Sequence, residues 1–507
     1  MSAAEPIPTI GMEVHLHLAT RTKMFCPCEV HYEDPPNDQA PPNTYVCPVC
    51  LGMPGVLPVM NERAVELAVR MAIGLDCDLP EFAKWDRKHY YYPDLPKNYQ
   101  ISEYDEPLGL GGRLDVELEG RSFRVGITRV HLEEDAGKLV HAEDGSNVSV
   151  VDLNRTGTPL LEIVSEPDIH SAREARAYGE ALRQLAVYLG VGRCNMQLGQ
   201  MRFEPNISLK IGEGAGGSPR YTPITEIKNL NSFRSLERAC DFEIRRHRDE
   251  LAADPEGYTL ERLGKSTRGW NDDRGVSFLQ RSKEEAHDYR YFPEPDLVPL
   301  APEREWVEKV QASVPELPAD RRRRFVEAYG LPESDAGVLT ADRDVADFFE
   351  ELARHVAMVA RGQIPGPKDA KTAANWMMQD VMRALNERNV PIGELGVTPA
   401  ALAEAVALVE KGAISRATGT EVFAKMLETG KSAAEIVEEE NLAQTSDAGE
   451  LETVVDEVIA ENPDAARQFA DGVDKAVGRL IGLAKKKTGG KANPKVVREL
   501  LVRKLRG

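Results

Sequence analysis

The sequence predicts an α+β protein: an antiparallel-sheet domain, then an all-α helical domain and a small helical tail. Three observations carry that reading. Up to Pro302 the chain is rich in apolar/polar alternation at the two-residue period of strands. Beyond Pro302 apolar residues recur at helical spacing, broken by prolines near 315–318 and 364–367. Charge then separates: residues 435–464 hold eleven acids and no Lys or Arg, and residues 475–507 hold eleven Lys/Arg and a single acid, Glu499. The expected domains are 1–298, 299–408 and 409–507.

The opening strand alternates cleanly. Ile10, Met12, Val14, Leu16 and Leu18 form one face, and Gly11, Glu13, His15 and His17 the other. A second strand alternates through Phe203, Pro205, Ile207, Leu209 and Ile211, leaving Arg202, Glu204 and Asn206 opposite. Pro205 there suggests an edge position or a bulge. Between them a helix starts at the capping box Ser171-x-x-Glu174 and lines up Tyr178, Leu182, Leu185 and Leu189. Later helices are expected over 306–314, 342–356 and 447–460, the last opened by Asp447-x-x-Glu450. Residues 485–490 read as a linker before a short final helix.

At 507 residues, 42% hydrophobic and 29% charged, the composition is that of an ordinary globular protein of about three domains. No apolar run approaches the roughly 18 residues of a membrane span. The first nine residues show no basic n-region and no apolar h-region of a secretory signal, so a cytoplasmic protein is expected. A net charge of −20 argues against wholesale wrapping of nucleic acid. The basic tail reads either as a phosphate-gripping element or as a solvated helix.

Seven cysteines are too few for a disulfide scaffold at this length. Cys77, Cys194 and Cys240 read as reduced core residues. Cys26-Pro-Cys28 and Cys47-Pro-Val-Cys50 flank a Pro/Asn/Asp-rich loop. Their spacing suits a closed, structural tetrahedral zinc site, with disulfides or coincidence as the alternatives. An acidic set stands apart from them. Glu13 and His15 share one strand face; Arg129, His131 and Glu133 share another; Glu162 follows Thr156-Gly-Thr-Pro159. Convergent carboxylates beside basic groups are what a magnesium–ATP site needs, while each alone reads as a solvated face. The glycine-rich stretch 212–217 lacks the Gly-Lys-Ser/Thr of a phosphate loop and reads as a hairpin loop. His247 and His287 read as structural or surface residues, and no Ser/Cys–His–Asp order suggests a nucleophile.

Several longer motifs point to one family. They are Ile10-Gly-Met-Glu-Val-His15, Tyr92-Pro-Asp-Leu-Pro-Lys-Asn-Tyr-Gln-Ile-Ser102, His131-Leu-Glu-Glu-Asp-Ala-Gly-Lys138 and Asp152-Leu-Asn-Arg-Thr-Gly-Thr-Pro-Leu-Leu-Glu162. Three others are Glu226-Ile-Lys-Asn-Leu-Asn-Ser-Phe233, the run from Arg281 to Pro293, and Gly490-Lys-Ala-Asn-Pro494. Almost end to end, the chain resembles the GatB family, the B subunits of the tRNA-dependent aspartyl/glutamyl amidotransferase. The resemblance implies a cradle domain related to glutamine synthetase, a helical domain and a tail that meets tRNA. It also implies ATP-dependent phosphorylation of the side-chain carboxylate of Glu or Asp misattached to tRNA(Gln) or tRNA(Asn). Ammonia made from glutamine by a partner would then displace the phosphate, in a heterotrimer completed by subunits A and C, the first of them the glutaminase.

By matching motif, Glu13, His15, Glu133, Glu134 and Glu162 would hold Mg2+ and phosphates, and Lys88 would lie near the ammonia path. Cys26, Cys28, Cys47 and Cys50 would hold Zn2+. One stretch departs from the family. An Asp and two Glu are replaced by Arg193, Gln197 and Leu198, and a later Asp is Glu204; the usual Gln-Glu-Thr-Arg is also changed at Lys265-Ser-Thr-Arg268. The expectation is an active variant in which Glu204 serves as the carboxylate. The alternative is a tRNA-binding scaffold with a degraded site, which gains if Arg193 or Leu198 fills the metal space. A free-standing ligase for a small molecule ranks last.

Overall fold

The computed structural model describes residues 5–32, 36, 39–141, 148–213, 217–281, 289–362, 364–444, 448–489 and 491–507. Residues 282–288 of the Arg281–Pro293 motif, including His287, lie outside the described residues. So do Asp447, residues 214–216 of the glycine-rich stretch, and Gly490. Two compact units divide the chain, Met1–Leu317 and Pro318–Gly507.

The first unit is a large, mostly antiparallel sheet. Its strands are β1 (Ile7–His17), β2 (Lys84–His89), β3 (Tyr99–Glu106), β4 (Gly109–Leu118) and β5 (Arg121–Glu134). A small separate hairpin follows, β6 (Lys138–His141) and β7 (Ser149–Asp152). The main sheet resumes with β8 (Pro159–Ser165), β9 (Met201–Glu213), β10 (Pro219–Tyr221) and β11 (Ile224–Lys228). It ends with β12 (Lys265–Asn271), β13 (Val276–Arg281) and β14 (Phe292–Pro293). The spatial order is β13-β12-β11-β9-β1-β8-β5-β3-β2-β14, with β10 on β9 and β4 on β5.

The alternation of β1 decides what lies on each side. Ile10, Met12, Val14 and Leu16 are at most 1% exposed and pack beneath α1 (Glu62–Gly74), α2 (Ala172–Tyr188) and α3 (Phe233–Ala253). Ser171 caps α2 by accepting from the Glu174 N–H, as the capping box predicts. Tyr178, Leu182, Leu185 and Leu189 are all buried. The pair β11–β12 is parallel, and α3 supplies the crossover that parallel pairing requires, before the short α4 (Leu260–Leu263). His247 of α3 is a core residue bonded to Thr222 and Thr225, as expected.

Pro205 is not at an edge. It pairs with Met12 in an interior strand, but the β9–β11 ladder is registered only at Thr225↔Ile207 and Glu226↔Asn206, so the missing N–H falls just past it. The first unit also runs beyond residue 298. α5 (Arg304–Ala312) buries Val310 in the first core, with Trp306 and Val307 packed against it.

The second unit is helical throughout its described residues. α6 (Pro318–Tyr329), α7 (Glu333–Leu339), α8 (Arg343–Arg361), α9 (Pro367–Trp376), α10 (Met382–Arg388), α11 (Pro399–Glu410) and α12 (Arg416–Thr429) share one core, with a π-helical turn at Met377–Val381. α13 (Ala433–Glu439) packs on α11 and α12. A separate core joins α14 (Ala448–Glu461), α15 (Pro463–Ala470), α16 (Lys475–Lys487) and α17 (Pro494–Arg506). α16 carries residues 485–487, so the first half of the expected linker is helix.

Arg321, Arg324 and Tyr329 of α6 converge on Glu350 of α8, whose side chain is 16% exposed. Burial pushes the Glu350 carboxyl up, but the hydrogen bonds from Arg324, Arg321 and Tyr329 outweigh it and hold it at about 2. A carboxyl lowered by folding stabilises above its ordinary value near 4.5, and that stability is lost as pH falls toward about 2. Glu350→Gln should therefore cost roughly 2–3 kcal/mol at neutral pH, with the gap to wild type closing below pH ~4.5. Urea unfolding of the helical transition across this range checks it; a gap that ignores pH would refute the assignment.

Candidate active site and metal centre

The register of four central strands builds the site. On the sheet face opposite the helices, Arg202 (β9), His15 (β1), Glu162 (β8) and His131 (β5) stand directly across from one another. Glu204 stands opposite Glu13 in the neighbouring row. Glu133 lies two residues along from His131, and Lys88 reaches it from β2. The two strand faces read separately from the sequence are thus one face of one sheet.

His15 Nε2 lies 3.3 Å and His131 Nε2 3.6 Å from Glu162 Oε2, while Arg129 reaches Glu162 Oε1 at 3.5 Å. Glu133 accepts from Ser102 Oγ at 2.7 Å and from Gln100 Nε2 at 2.9 Å, with Lys88 Nζ at 3.8 Å. Ligand atoms of His15, Glu133 and Glu162 lie within 4.8 Å of one another, and so do those of Glu13, Glu204 and Glu226. The second group is bordered by Lys228, 2.6 Å from Glu204, and by Asn206, which donates to Glu13 at 3.3 Å.

Charges along the groove are unevenly balanced. Burial pushes Glu162 up, but His131, His15 and Lys88 hold its carboxyl well below the usual range. Burial likewise works against Glu133, and Lys88 and His131 lower it. Burial opposes the charge on Lys88, yet Glu133 and its neighbours keep it well above an ordinary lysine. Glu13 goes the other way: burial, then Glu162, Glu204 and Glu226, push it up against Lys265. A carboxylate crowded by acids marks a place short of positive charge. The buried Nδ1 atoms of His15 and His131 also lack any protein partner. The donor set of oxygens and imidazole therefore fits a hard divalent cation.

Glu134 is not in this groove. Adjacent strand residues project to opposite faces, so Glu134 points away from Glu133. Its carboxylate accepts from the Ile101 N–H at 3.1 Å and pairs with Lys97. Asp135 lies nearer, with His17 at 2.6 Å and Arg202 at 3.2 Å. Glu226 and Arg202 had been given no role from the sequence; the polar face of β9 is the signal that would have found Arg202.

The departing stretch does not fill the groove. Arg193 is exposed, and Leu198 lines a small pocket with His17, Tyr32 and Arg155. Both precede β9, where Asn195 Oδ1 accepts from the Gln197 and Leu198 N–H groups in a turn.

Between β1 and α1 the four clustered cysteines converge, with sulfurs within 4.8 Å of one another and Cys47 Sγ 3.9 Å from Cys50 Sγ. All seven cysteines are free thiols, and the Cys47 N–H donates to Cys50 Sγ at 3.1 Å. Thiolates around a tetrahedral metal with bonds of about 2.3 Å stand ~3.8 Å apart, so the donor set fits a structural metal.

Fold and groove define a protein with a carboxylate-lined antiparallel sheet and a helical second unit. A family model described as "GatB/GatE catalytic domain" matches residues 8–308, and one described as "GatB domain" matches residues 349–505. The chain is 48% identical over 497 residues to the aspartyl/glutamyl-tRNA(Asn/Gln) amidotransferase B subunit of Moorella thermoacetica, covering 98% of this chain and 99% of that protein. It is 46% identical to the protein of that name from Carboxydothermus hydrogenoformans, over 98% of each chain. With that of Geotalea daltonii it shares 45%, over 98% of this chain and 99% of the other. The chain belongs to the GatB family, the B subunits of aspartyl/glutamyl-tRNA(Asn/Gln) amidotransferases.

The separation of Glu133 from Glu134 is testable with Mn2+ as a paramagnetic probe. Glu133→Gln and Glu162→Gln should weaken Mn2+ binding at least ~10-fold, whereas Glu134→Gln leaves it unchanged. Titration by electron paramagnetic resonance reads the three, and a loss confined to Glu134→Gln would sink the placement.

Proposed function

We propose that this chain is the carboxylate-activating subunit of a glutamine-dependent tRNA amidotransferase. The observation that carries the reading is the meeting, on one sheet face, of His15, Glu133 and Glu162 with Glu13, Glu204 and Glu226, beside Lys88, Arg129 and Arg202. The substrate is Glu-tRNA(Gln), Asp-tRNA(Asn) or both. Its side-chain carboxylate oxygen attacks the γ-phosphorus of ATP, ADP leaves, and an acyl phosphate forms. Ammonia supplied by the glutaminase partner then attacks the acyl carbon and phosphate departs, leaving the amide. A carboxylate is a poor acyl donor, and phosphorylation supplies its leaving group.

His15, Glu133 and Glu162, with Glu13 and Glu204, would hold Mg2+, which when bound neutralises charge on the phosphates. Arg129 and Arg202 border this face and would bind phosphate oxygens. Lys88, beside Glu133, would orient the nucleophile at the ammonia entry. The cradle is read as related to glutamine synthetase, and Cys26, Cys28, Cys47 and Cys50 as holding a structural Zn2+ with no open position for substrate.

The tail, read as residues 409–507, would meet tRNA through part of its basic surface only. Lys487 pairs with Glu457 and Glu461, Arg503 with Glu452, and Lys504 with Asp456, so part of each block is neutralised by the other. Lys486, Lys495 and Arg498 are exposed and form no ion pair among the described residues. With Lys475 and Arg479, likewise exposed and without an ion pair among the described residues, they are candidates for phosphate contact. Subunits A and C complete the heterotrimer in this reading.

Amide formation on misacylated tRNA, with subunits A and C, glutamine and Mg–ATP, tests the chemistry. Glu133→Gln and Glu204→Gln should each lower the rate roughly 100-fold or more. A wild type that binds tRNA but neither consumes ATP nor makes amide would leave only the scaffold role. Replacing Lys486, Lys495 and Arg498 by Ala should weaken tRNA binding and reduce its log–log salt slope by roughly 2. An unchanged slope would clear these three residues of phosphate contact.

A further inference from the structure

Lys23 is one of the least exposed charged residues in the chain, at 1% exposure. Its Nζ donates to the Tyr45 carbonyl at 2.8 Å, approaches the Leu153 carbonyl at 3.4 Å, and lies 3.7 Å from Cys50 Sγ. No carboxylate among the described residues pairs with it. A buried ammonium needs a compensating negative charge, and carbonyl dipoles supply only part of one. Among the described residues, the anionic group within hydrogen-bonding reach of its Nζ is the sulfur cluster, through Cys50 Sγ. The converse holds as well: four thiolates around a divalent ion carry a net charge of −2, which burial penalises.

We infer that Lys23 is a positioning residue for the four-cysteine metal site, neutralising its excess negative charge while tying the cysteine loop to the sheet domain. The inference rests on the reading of these cysteines as a zinc site. The surrounding hydrogen bonds show what is tied to what. Asn43 and Tyr45 of the cysteine loop donate to Asp152 and Asn154, Leu153 donates back to Asn43, and Asn154 donates to the Pro41 carbonyl. Lys23 spans the same seam from below, bonding one carbonyl on each side of it. That seam leads into β8, which carries Glu162, so metal in the cysteine loop and order in the groove share one support.

The test separates charge from hydrogen bonding. Lys23→Gln keeps a donor without the charge, Lys23→Met removes both, and Lys23→Arg keeps the charge. In the full chain, zinc affinity measured by chelator competition should fall roughly 10–100-fold in the Gln and Met variants and recover in part with Arg. In the cobalt(II)-substituted protein the sulfur-to-metal charge-transfer band should shift to lower energy in Gln and Met, because thiolates lose a stabilising cation. A purely structural lysine would not move that band. In a Cys47→Ser/Cys50→Ser background, where the site is gone, Lys23→Met should lower the melting temperature less than it does in the wild-type background. Unchanged affinity and spectrum in Lys23→Gln, or an equal stability loss in both backgrounds, would overturn the inference. Failure of the wild type itself to give a four-thiolate cobalt spectrum would instead overturn the zinc reading.

Discussion

Glu162 sits where a carboxylate is most expensive, in the middle strand of a wide sheet and only 6% exposed. Leaving it unpaired there would cost several kcal/mol, so the fold must bring charge to it. His15 comes from one neighbouring strand and His131 from the other, both at registered positions, with Arg129 from the next row. A slip of one residue in either pairing would turn these side chains into the apolar core and send Val14, Leu161 or Leu132 into the groove. Core and groove therefore enforce a single register. The β1 alternation that buries Ile10 to Leu16 is also what places Glu13 and His15 side by side with their partners.

That compensation is complete at one end of the groove and incomplete at the other. Around Glu162 and Glu133, His15, His131, Lys88 and Arg129 match the acids well enough to hold both carboxyls ionised. Around Glu13, burial and the neighbouring Glu162, Glu204 and Glu226 outweigh Lys265. In the proposed reading, an additional lysine there would be a fixed charge competing with substrate phosphate for the same carboxylates. A divalent cation differs, since it can bind carboxylate and phosphate oxygens at once. The imbalance is what a site for an anionic, metal-escorted substrate requires.

Much of this was legible in the residues, and the legible part is local. The two-residue period of β1 and β9 assigned Glu13, His15, Arg202 and Glu204 to polar faces, and the cysteine spacing announced a four-sulfur cluster. Distant pairing was not legible. That the β5 face and the β1 face are one face depends on β8 lying between them, which no periodicity within either strand encodes. Glu134 was misplaced because matching a motif gives the order of residues and not the side of the strand they take. Glu226 went unassigned because a five-residue strand such as β11 shows too little alternation to read. Pairing between the charge blocks of the tail was not legible either: separated in sequence, they pair in part across α14, α16 and α17.

The substitutions around Arg193 show why strand and turn positions carry different weight. Arg193, Gln197 and Leu198 lie before β9 begins at Met201, where direction is set by the Asn195 turn and not by the period of a strand. No carboxylate at those positions would be held opposite Glu13 by register. Glu204 is held there: it faces Glu13 across the β1–β9 ladder, and Lys228 and Arg202 lower its carboxyl against the effect of burial. One extra methylene relative to Asp lengthens its reach toward Glu226 on the far side of Asn206. Relative to the family pattern that the sequence resembles, the positions without acids lie in a turn and Glu204 lies in the ladder. Cross-strand register holds Glu204 opposite Glu13 and does not hold the turn positions there.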